Sequence, residues 1–371
     1  MLTGCEPGRD TTAVAIGPGL SGIRYLASSD QATGFASAMA PPSYFSFPAD
    51  HGAHPAFRTE WWYFTGNVFD AEENHYGFEL TFFRIALTPE SRLREASLAK
   101  NEIWMAHLAV TDTARRRFQV AERLSSGAPG LAGVTAIDLR ANEPLVIEVE
   151  DFAIEILGDG ISLAASDVDF GLELELTGLE RIVAQGNNGL DPKGPEPGNA
   201  SYYFSAPRLS VRGEIRSANA AAVAVEGSAW MDREWSTSAL SPDIAGWDWF
   251  ALQLDDGRDL MFYRLRDRDG STNEFSGGSI AQAAGSVTRL DAGSVELAVA
   301  REWTSDRTGV RYPVGWNMTI PAADLDLTIL PRLDDQEIDV SVRYWEGAVS
   351  INGTAGNDPI QGVGYLELAG Y

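Results

Sequence analysis

The sequence predicts an all-β chain of antiparallel strands, arranged as a sandwich or as barrels, and three observations carry that prediction. From Ser43 onward the dominant period is two, not 3.6: Phe78, Leu80 and Phe82 alternate with Glu79, Thr81 and Phe83, and Phe250, Leu252 and Leu254 with Ala251 and Gln253. Turn residues break these runs at short intervals, and Asp256-Gly257, between Trp249–Leu254 and Leu260–Leu265, is the strongest hairpin signal. Strand follows strand with little helical patterning between them.

In chain order, residues 1–42 form a Gly/Ala/Ser/Pro-rich stretch suited to a flexible tether. Asp70–Asn74 and Asp112–Arg115 then punctuate two hairpins. Gln185–Ser201, with three prolines and four glycines, suits a loop or crossing rather than a strand. The alanine-rich seam at Ser217–Val223 is short of large side chains, and it places one barrel over residues 43–222 and a second over 223–371. A short repeat supports two related halves. Trp62-Tyr63-Phe64 leads to Phe82-Phe83-Arg84-Ile85, and Trp249-Phe250 leads to Phe262-Tyr263-Arg264-Leu265.

Apolar residues make up 44% of the 371 and charged residues 22%, enough to bury real cores. With 53 acidic residues against 28 basic ones the formal charge is -25, which excludes partners held by their phosphates, nucleic acid included, and docking on an anionic membrane through a basic face. Only two of the basic residues are lysines, Lys100 and Lys193. A single cysteine excludes a disulfide framework and a zinc-cysteine site. No run approaches the ~18 apolar residues of a membrane span. That cysteine, Cys5, ends Leu2-Thr3-Gly4-Cys5, which matches a bacterial lipobox. The expectation is an exported, extracytoplasmic protein of the bacterial periplasm, touching the membrane only through a lipid on Cys5.

Two segments concentrate the chemistry. Phe47–Gly66 holds His51, His54, Asp50, Glu60, Arg58 and the aromatics Trp61, Trp62, Tyr63 and Phe64. Ser228–Trp249 holds Trp230, Trp235, Trp247 and Trp249 with Asp232, Glu234, Asp243 and Asp248. Broad aromatic faces beside a few ionisable groups suit a long apolar ligand and would stabilise a carbocation. A carboxylic acid kept neutral by burial among them is suited to protonating an alkene, after which water adds to the cation. Against this stands a plain structural account, in which the tryptophans fill cores and the acids pair with Arg58 and Arg233. His51 and His54 have the spacing of metal ligands, but Gly52-Ala53 and Pro55 suggest a loop rather than the helix face of an H-E-x-x-H site, so no metal is expected. G-x-S-x-G is absent, and Gly277-Gly278-Ser279-Ile280-Ala281 lacks the last glycine, so serine hydrolysis is not expected. Phosphate loops and dinucleotide fingerprints are missing as well, and no cofactor is expected.

Phe47–Gly66 resembles the opening signature of the AttH-like and carotenoid 1,2-hydratase family. Lys193–Ser205 (KGPEPGNASYYFS), Gly227–Trp235 (GSAWMDREW), Tyr344–Gly353 (YWEGAVSING) and the ending Gly362–Tyr371 (GVGYLELAGY) agree with it in order, so the resemblance spans Ser43 to the C-terminus. It implies two consecutive lipocalin-like antiparallel β-barrels. Carotenoid members of the family add water across a terminal double bond without a cofactor. Fungal proteins of similar shape are thought to guide polyene cyclisations, and many bacterial relatives are exported beside ABC-transporter components. The hydratases share an Asp-His-Asn-Trp run, whose matching positions here are Asp232, Arg233, Glu234 and Trp235. Arg233 cannot deliver a proton as the histidine would. Tyr263 matches a site tyrosine, but Arg264 and Leu265 follow where a catalytic aspartate is expected. The AttH-like branch is therefore closer than the carotenoid hydratases.

Two functional readings follow. In the first the protein is a cofactor-free hydro-lyase or isomerase acting on an isoprenoid, polyene or lipid-like chain. Asp232, Glu60 and Tyr263 are then catalytic, and Trp61, Trp62, Tyr63, Arg233, Trp235, Trp247, Trp249, His51 and His54 line the ligand. In the second it is a non-catalytic carrier working with an ABC transporter. An acid buried in a cavity without a basic partner favours the enzyme, and acids all gripped by Arg58 or Arg233 favour the carrier.

Overall fold

The computed structural model describes residues 33–42, 44–89, 101–135, 143–218, 220–238 and 240–371. Cys5 and most of the tether expected over residues 1–42 lie outside them. The three expected hairpins are present. Thr59–Phe69 pairs with His75–Ala86, and in the turn between them the Asp70 carboxylate accepts the backbone N–H groups of Glu72 (3.0 Å) and Asn74 (2.9 Å). Glu102–Asp112 pairs with Arg117–Ser125 around Asp112, which accepts the Arg115 N–H at 2.9 Å. Ile244–Leu254 pairs with Asp259–Asp267 across a turn in which Gly257 takes φ of 87°, a left-handed conformation open to glycine without a Cβ clash.

Among the described residues thirteen strands form one antiparallel sheet and ten form a second. The first curls into a nearly closed barrel around Trp62, Phe64, Phe78, Leu80, Phe204 and Met231. The second is a half-barrel around Phe250, Trp316, Trp345 and Leu366. No helix among the described residues is long and apolar enough to cross a membrane.

Two sequence expectations change in detail. Val223–Ser236 pairs along nearly its whole length with Thr59–Phe69 on one side and Ala200–Arg216 on the other, so it belongs to the first sheet. The sheets therefore part between Ser236 and Ile244 rather than at 222/223, because the alanine-rich seam is only the end of a hairpin within the first barrel. Gln185–Ser201 is mostly loop, but Leu190–Pro192 inside it pairs with Ala200–Tyr202 as a short strand.

The outer face of the first sheet packs against the outer face of the second. Strand alternation makes this possible: Trp62 and Phe64 fill the barrel, while Tyr63 between them joins Trp230, Trp249, Met261 and Tyr365 in a cluster between the sheets. Approach is close enough that a Cβ on Gly77 would lie 2.7 Å from the Ala348 methyl. Buried polar groups cross the junction: Asn67 donates to the Gly364 carbonyl (3.1 Å), Thr111 to Gln336 (2.8 Å) and Ser228 to Gln253 (2.5 Å).

Candidate functional site

Between the two sheets lies a cavity of about 200 Å³. Trp61, Tyr63, Tyr203, Asp232 and Glu234 reach it from the first sheet, and Trp247, Trp249, Tyr263, Tyr344, Glu346 and Glu367 from the second. Lys193 enters from the Gln185–Ser201 loop.

Asp232 sits opposite Tyr63 on one neighbouring strand and opposite Ser205 on the other. Its Oδ1 accepts the Ser205 hydroxyl (2.5 Å) and the Trp230 indole N–H (2.7 Å), and its Oδ2 accepts the Tyr203 hydroxyl (2.5 Å). All three donors are neutral, and among the described residues no cation lies within ion-pair distance of it. Burial pushes the carboxyl up to about 7 against the pull of Ser205, Tyr203 and Trp230, and the nearby charge of Glu234 adds to the rise.

Lys193 and Asp191 build a second group on the cavity wall. The ammonium lies 2.6 Å from Asp191, 3.7 Å from Glu234 and 3.8 Å from the centre of the Tyr263 ring. The Tyr263 hydroxyl donates to Asp191 at 2.9 Å. Burial, reinforced by Asp191, pushes that phenol well above its ordinary range, so Tyr263 remains a hydrogen-bond donor rather than an acid.

A third group is wholly acidic. Glu346 and Glu367 are direct cross-strand partners, and both line the cavity. Tyr63 donates to Glu346 Oε1 at 2.8 Å, while Oε2 is buried without a partner. Burial together with neighbouring carboxyls pushes Glu346 well above the usual range and Glu367 up to about 7, and Glu79 behind them rises to about 8. Like charges directly opposite one another repel, so protons are retained here.

Several residues expected at the site face the other way. Trp62, Arg233 and Trp235 occupy the barrel side of strands whose alternate residues reach the cavity. Glu60 is fully buried between Arg84 (2.7 Å) and Arg233 (2.5 Å), and His54 donates its backbone N–H to the same carboxylate. Burial alone would raise that carboxyl, but Arg233 and Arg84 prevail and hold it well below the usual range. Glu60 is therefore no proton donor. His54 stacks on Trp235 with ring centres 3.7 Å apart, and His51 packs against Phe47 and Phe204 while its carbonyl accepts the Trp62 indole. Burial and then Arg233 hold the His51 imidazole down to about 4. Trp62, Arg233, Trp235, His51 and His54 thus lie outside the cavity wall, whereas Glu60, held by its two arginines, sits at its edge. Among the described residues no group of three or more His, Cys, Asp or Glu side chains is arranged to hold a metal ion.

The short sequence repeat has a structural counterpart. Glu60 pairs with Arg84 across the first sheet at 2.7 Å, and Asp248 pairs with Arg264 across the second at 2.8 Å. Asp248 also takes Arg266 and the Tyr371 hydroxyl, so it too is committed to an ion pair. Sequence reasoning missed Lys193, Tyr203, Glu346 and Glu367 as wall residues. Each lies in a stretch that carries the family resemblance, and Lys193 is one of only two lysines.

A family model described as AttH-like matches residues 38–371. Kievitone hydratase of Fusarium solani subsp. phaseoli is 25% identical over 236 residues, which cover 60% of this chain and 65% of that protein. The chain thus spans about two-thirds of the length of the curated relative it matches. A crystal structure described as an AttH of Nitrosomonas europaea is 33% identical, with a TM-score of 0.76, covering 90% of this chain and 99% of that one. Kievitone hydratase from Nectria haematococca shares the fold at 14% identity and a TM-score of 0.65, covering 90% of this chain and 98% of that one.

Proposed function

The chain belongs to the AttH-like family, and from that premise we propose that it is a hydratase-type enzyme. Its cavity takes an apolar alkene, isoprenoid or lipid-like, and adds water across a double bond without a cofactor. The observation that carries this reading is Asp232, a carboxyl buried in the cavity wall, held by three neutral donors and, among the described residues, paired with no cation. Kinship with kievitone hydratase supports a reaction of this type.

The Asp232 O–H proton passes to one alkene carbon as the π bond breaks, leaving a carbocation on the other. The aromatic rings of Trp249, Trp247 and Tyr63 on the cavity wall stabilise that charge. A water oxygen then bonds to the cation, and its extra proton returns to the Asp232 carboxylate, restoring the acid. If a carbon-bound proton leaves the cation instead, the same acid is regenerated and the product is a shifted alkene, which is the isomerase outcome. Tyr203 and Trp230 hold the carboxyl in place between turns.

The carrier reading takes its support from Glu60 and Asp248, both consumed by arginines, but it gives no role to Asp232. Turnover decides between them. A panel of acyclic isoprenoids and unsaturated lipids is incubated in water enriched in ¹⁸O, and products are read by mass spectrometry. Incorporation that falls by about 10²-fold or more in Asp232→Asn supports the enzyme. Bound but unconverted ligand, or full activity in that variant, overturns it. We also propose export and lipid anchoring at Cys5, with hand-over between the protein and an ABC transporter under the carrier reading. Labelled palmitate that enters the protein in a bacterial host and is lost in Cys5→Ser supports the anchor, and unlabelled protein refutes it.

A further inference from the structure

Charge accounting around the cavity points to a class of ligand head group. Lys193, the ammonium on the wall, is already engaged by Asp191 and Glu234. Glu60 is neutralised by its two arginines. Besides Asp232, which is held by its three neutral donors, what remains facing the interior is Glu346 opposite Glu367, with no cation within ion-pair distance of either among the described residues. Glu346 is fully buried, one of its oxygens bonds to Tyr63, and the other lies unpartnered in the wall.

An orphaned buried carboxyl oxygen costs free energy until a ligand meets it. An anionic head group would meet further acids and, among the described residues, no available cation, which disfavours carboxylates and phosphates. A purely apolar chain would leave the oxygen orphaned. A positive charge would draw the protons off these carboxyls and pair with them, and Tyr63, Trp247 and Tyr344 line the same cavity, where aromatic rings favour a cation through their quadrupoles. We propose that the Glu346–Glu367 end of the cavity is a binding site for an organic ammonium group carried on an apolar chain. The site rests on the hydratase reading only for the apolar chain. The two carboxyls then serve the same electrostatic purpose toward a bound cation and toward a positive charge developing on a substrate.

Isothermal titration of the whole protein with octyltrimethylammonium, octanol and octanoate tests this, in about 0.5 M salt so that the general attraction of an acidic surface is screened. The expected result is one-to-one binding of the ammonium about tenfold tighter than the alcohol, with octanoate weakest. Glu346→Gln, which keeps the shape but cannot give up a proton to become the counter-charge of a bound cation, should bring the ammonium down to the level of the alcohol, and Glu367→Gln should do the same if the first variant folds poorly by circular dichroism. Equal affinities for ammonium and alcohol, or an ammonium preference that survives in folded Glu346→Gln and Glu367→Gln, overturns the site. The readout is binding alone, so a protein inert toward every alkene would sink the hydratase reading and leave this result standing.

Discussion

Tyr203 donates its hydroxyl to the Asp232 carboxyl at 2.5 Å, reaching diagonally across the strand pair, since its direct cross-strand partner is Glu234. The Trp249 indole donates to the same phenol oxygen at 3.2 Å, which leaves the phenol proton directed at Asp232. The tyrosine thus joins an aromatic wall of one sheet to the acid of the other.

Tyr203→Phe should therefore raise the Asp232 carboxyl further. The hydroxyl stabilises the ionised form, and its removal leaves Ser205 and Trp230 as donors against the same burial. The alkaline limb of the turnover profile should move up by about one pH unit. An unchanged limb would mean that the phenol positions the ligand and does not tune the acid.

Glu60 and Asp232 should differ sharply in stability. Glu60→Gln leaves the buried guanidinium groups of Arg84 and Arg233 without their counter-charge, and about 3–5 kcal/mol should be lost. Asp232→Asn keeps an oxygen for neutral donors and should cost less than about 1.5 kcal/mol. Urea denaturation of both variants checks the order, and equal losses would mean that the two acids do not play these different roles.

Much of this molecule is legible in its sequence, and the illegible part has a definite cause. Local turns such as Asp256-Gly257 announce their hairpins because the backbone conformation is set within a few residues. Membership of Val223–Ser236 in the first sheet is not announced, since its partner Thr59–Phe69 lies far away in sequence. The same distance hides the site. Strands that touch the cavity are buried on both faces, one packed in a barrel and the other against the second sheet, so Trp61 and Trp62 look alike until the sheets are placed. Glu346 and Glu367 meet only through strand pairing, which composition and period cannot show.

Stability should fall as pH rises from about 6.5 to about 8. Burial first, then neighbouring acids, raises Glu79 to about 8 and Glu367 to about 7, while burial against its hydrogen bonds raises Asp232 to about 7. In this window the folded protein keeps protons that the unfolded chain, with ordinary carboxyls, has already released, so raising the pH favours unfolding. His51 and His75 act the other way. Burial, with Arg233 and Arg332, holds them to about 4 and about 3, so their loss of stability comes as pH falls below about 6.5 and lies outside the window. Each retained proton contributes a slope of up to about 1.4 kcal/mol per pH unit. Thermal melts should show the decline, and Glu367→Gln should flatten it; a variant with the wild-type slope would show that Glu367 ionises normally.

Gly77 should prove to be the point where side-chain bulk sets the separation of the sheets. A Cβ there would stand 2.7 Å from the Ala348 Cβ and 3.0 Å from the Tyr365 hydroxyl oxygen, well inside ordinary contact. Ala348 has no rotamer with which to retreat, and it is fully buried. Gly77→Ala must then push the sheets apart or strain the strand His75–Ala86, at a cost of about 1–3 kcal/mol. Because the obstacle is the methyl of Ala348, Ala348→Gly should relieve it. The double variant Gly77→Ala with Ala348→Gly should accordingly be more stable than the sum of the two single losses implies, by about 1 kcal/mol or more. Strict additivity in that cycle would place the obstacle elsewhere, at Tyr365 or in the strand itself. Widening the junction would also enlarge the cavity between the sheets, so Gly77→Ala should weaken binding of the octyl probes more than its loss of stability alone explains.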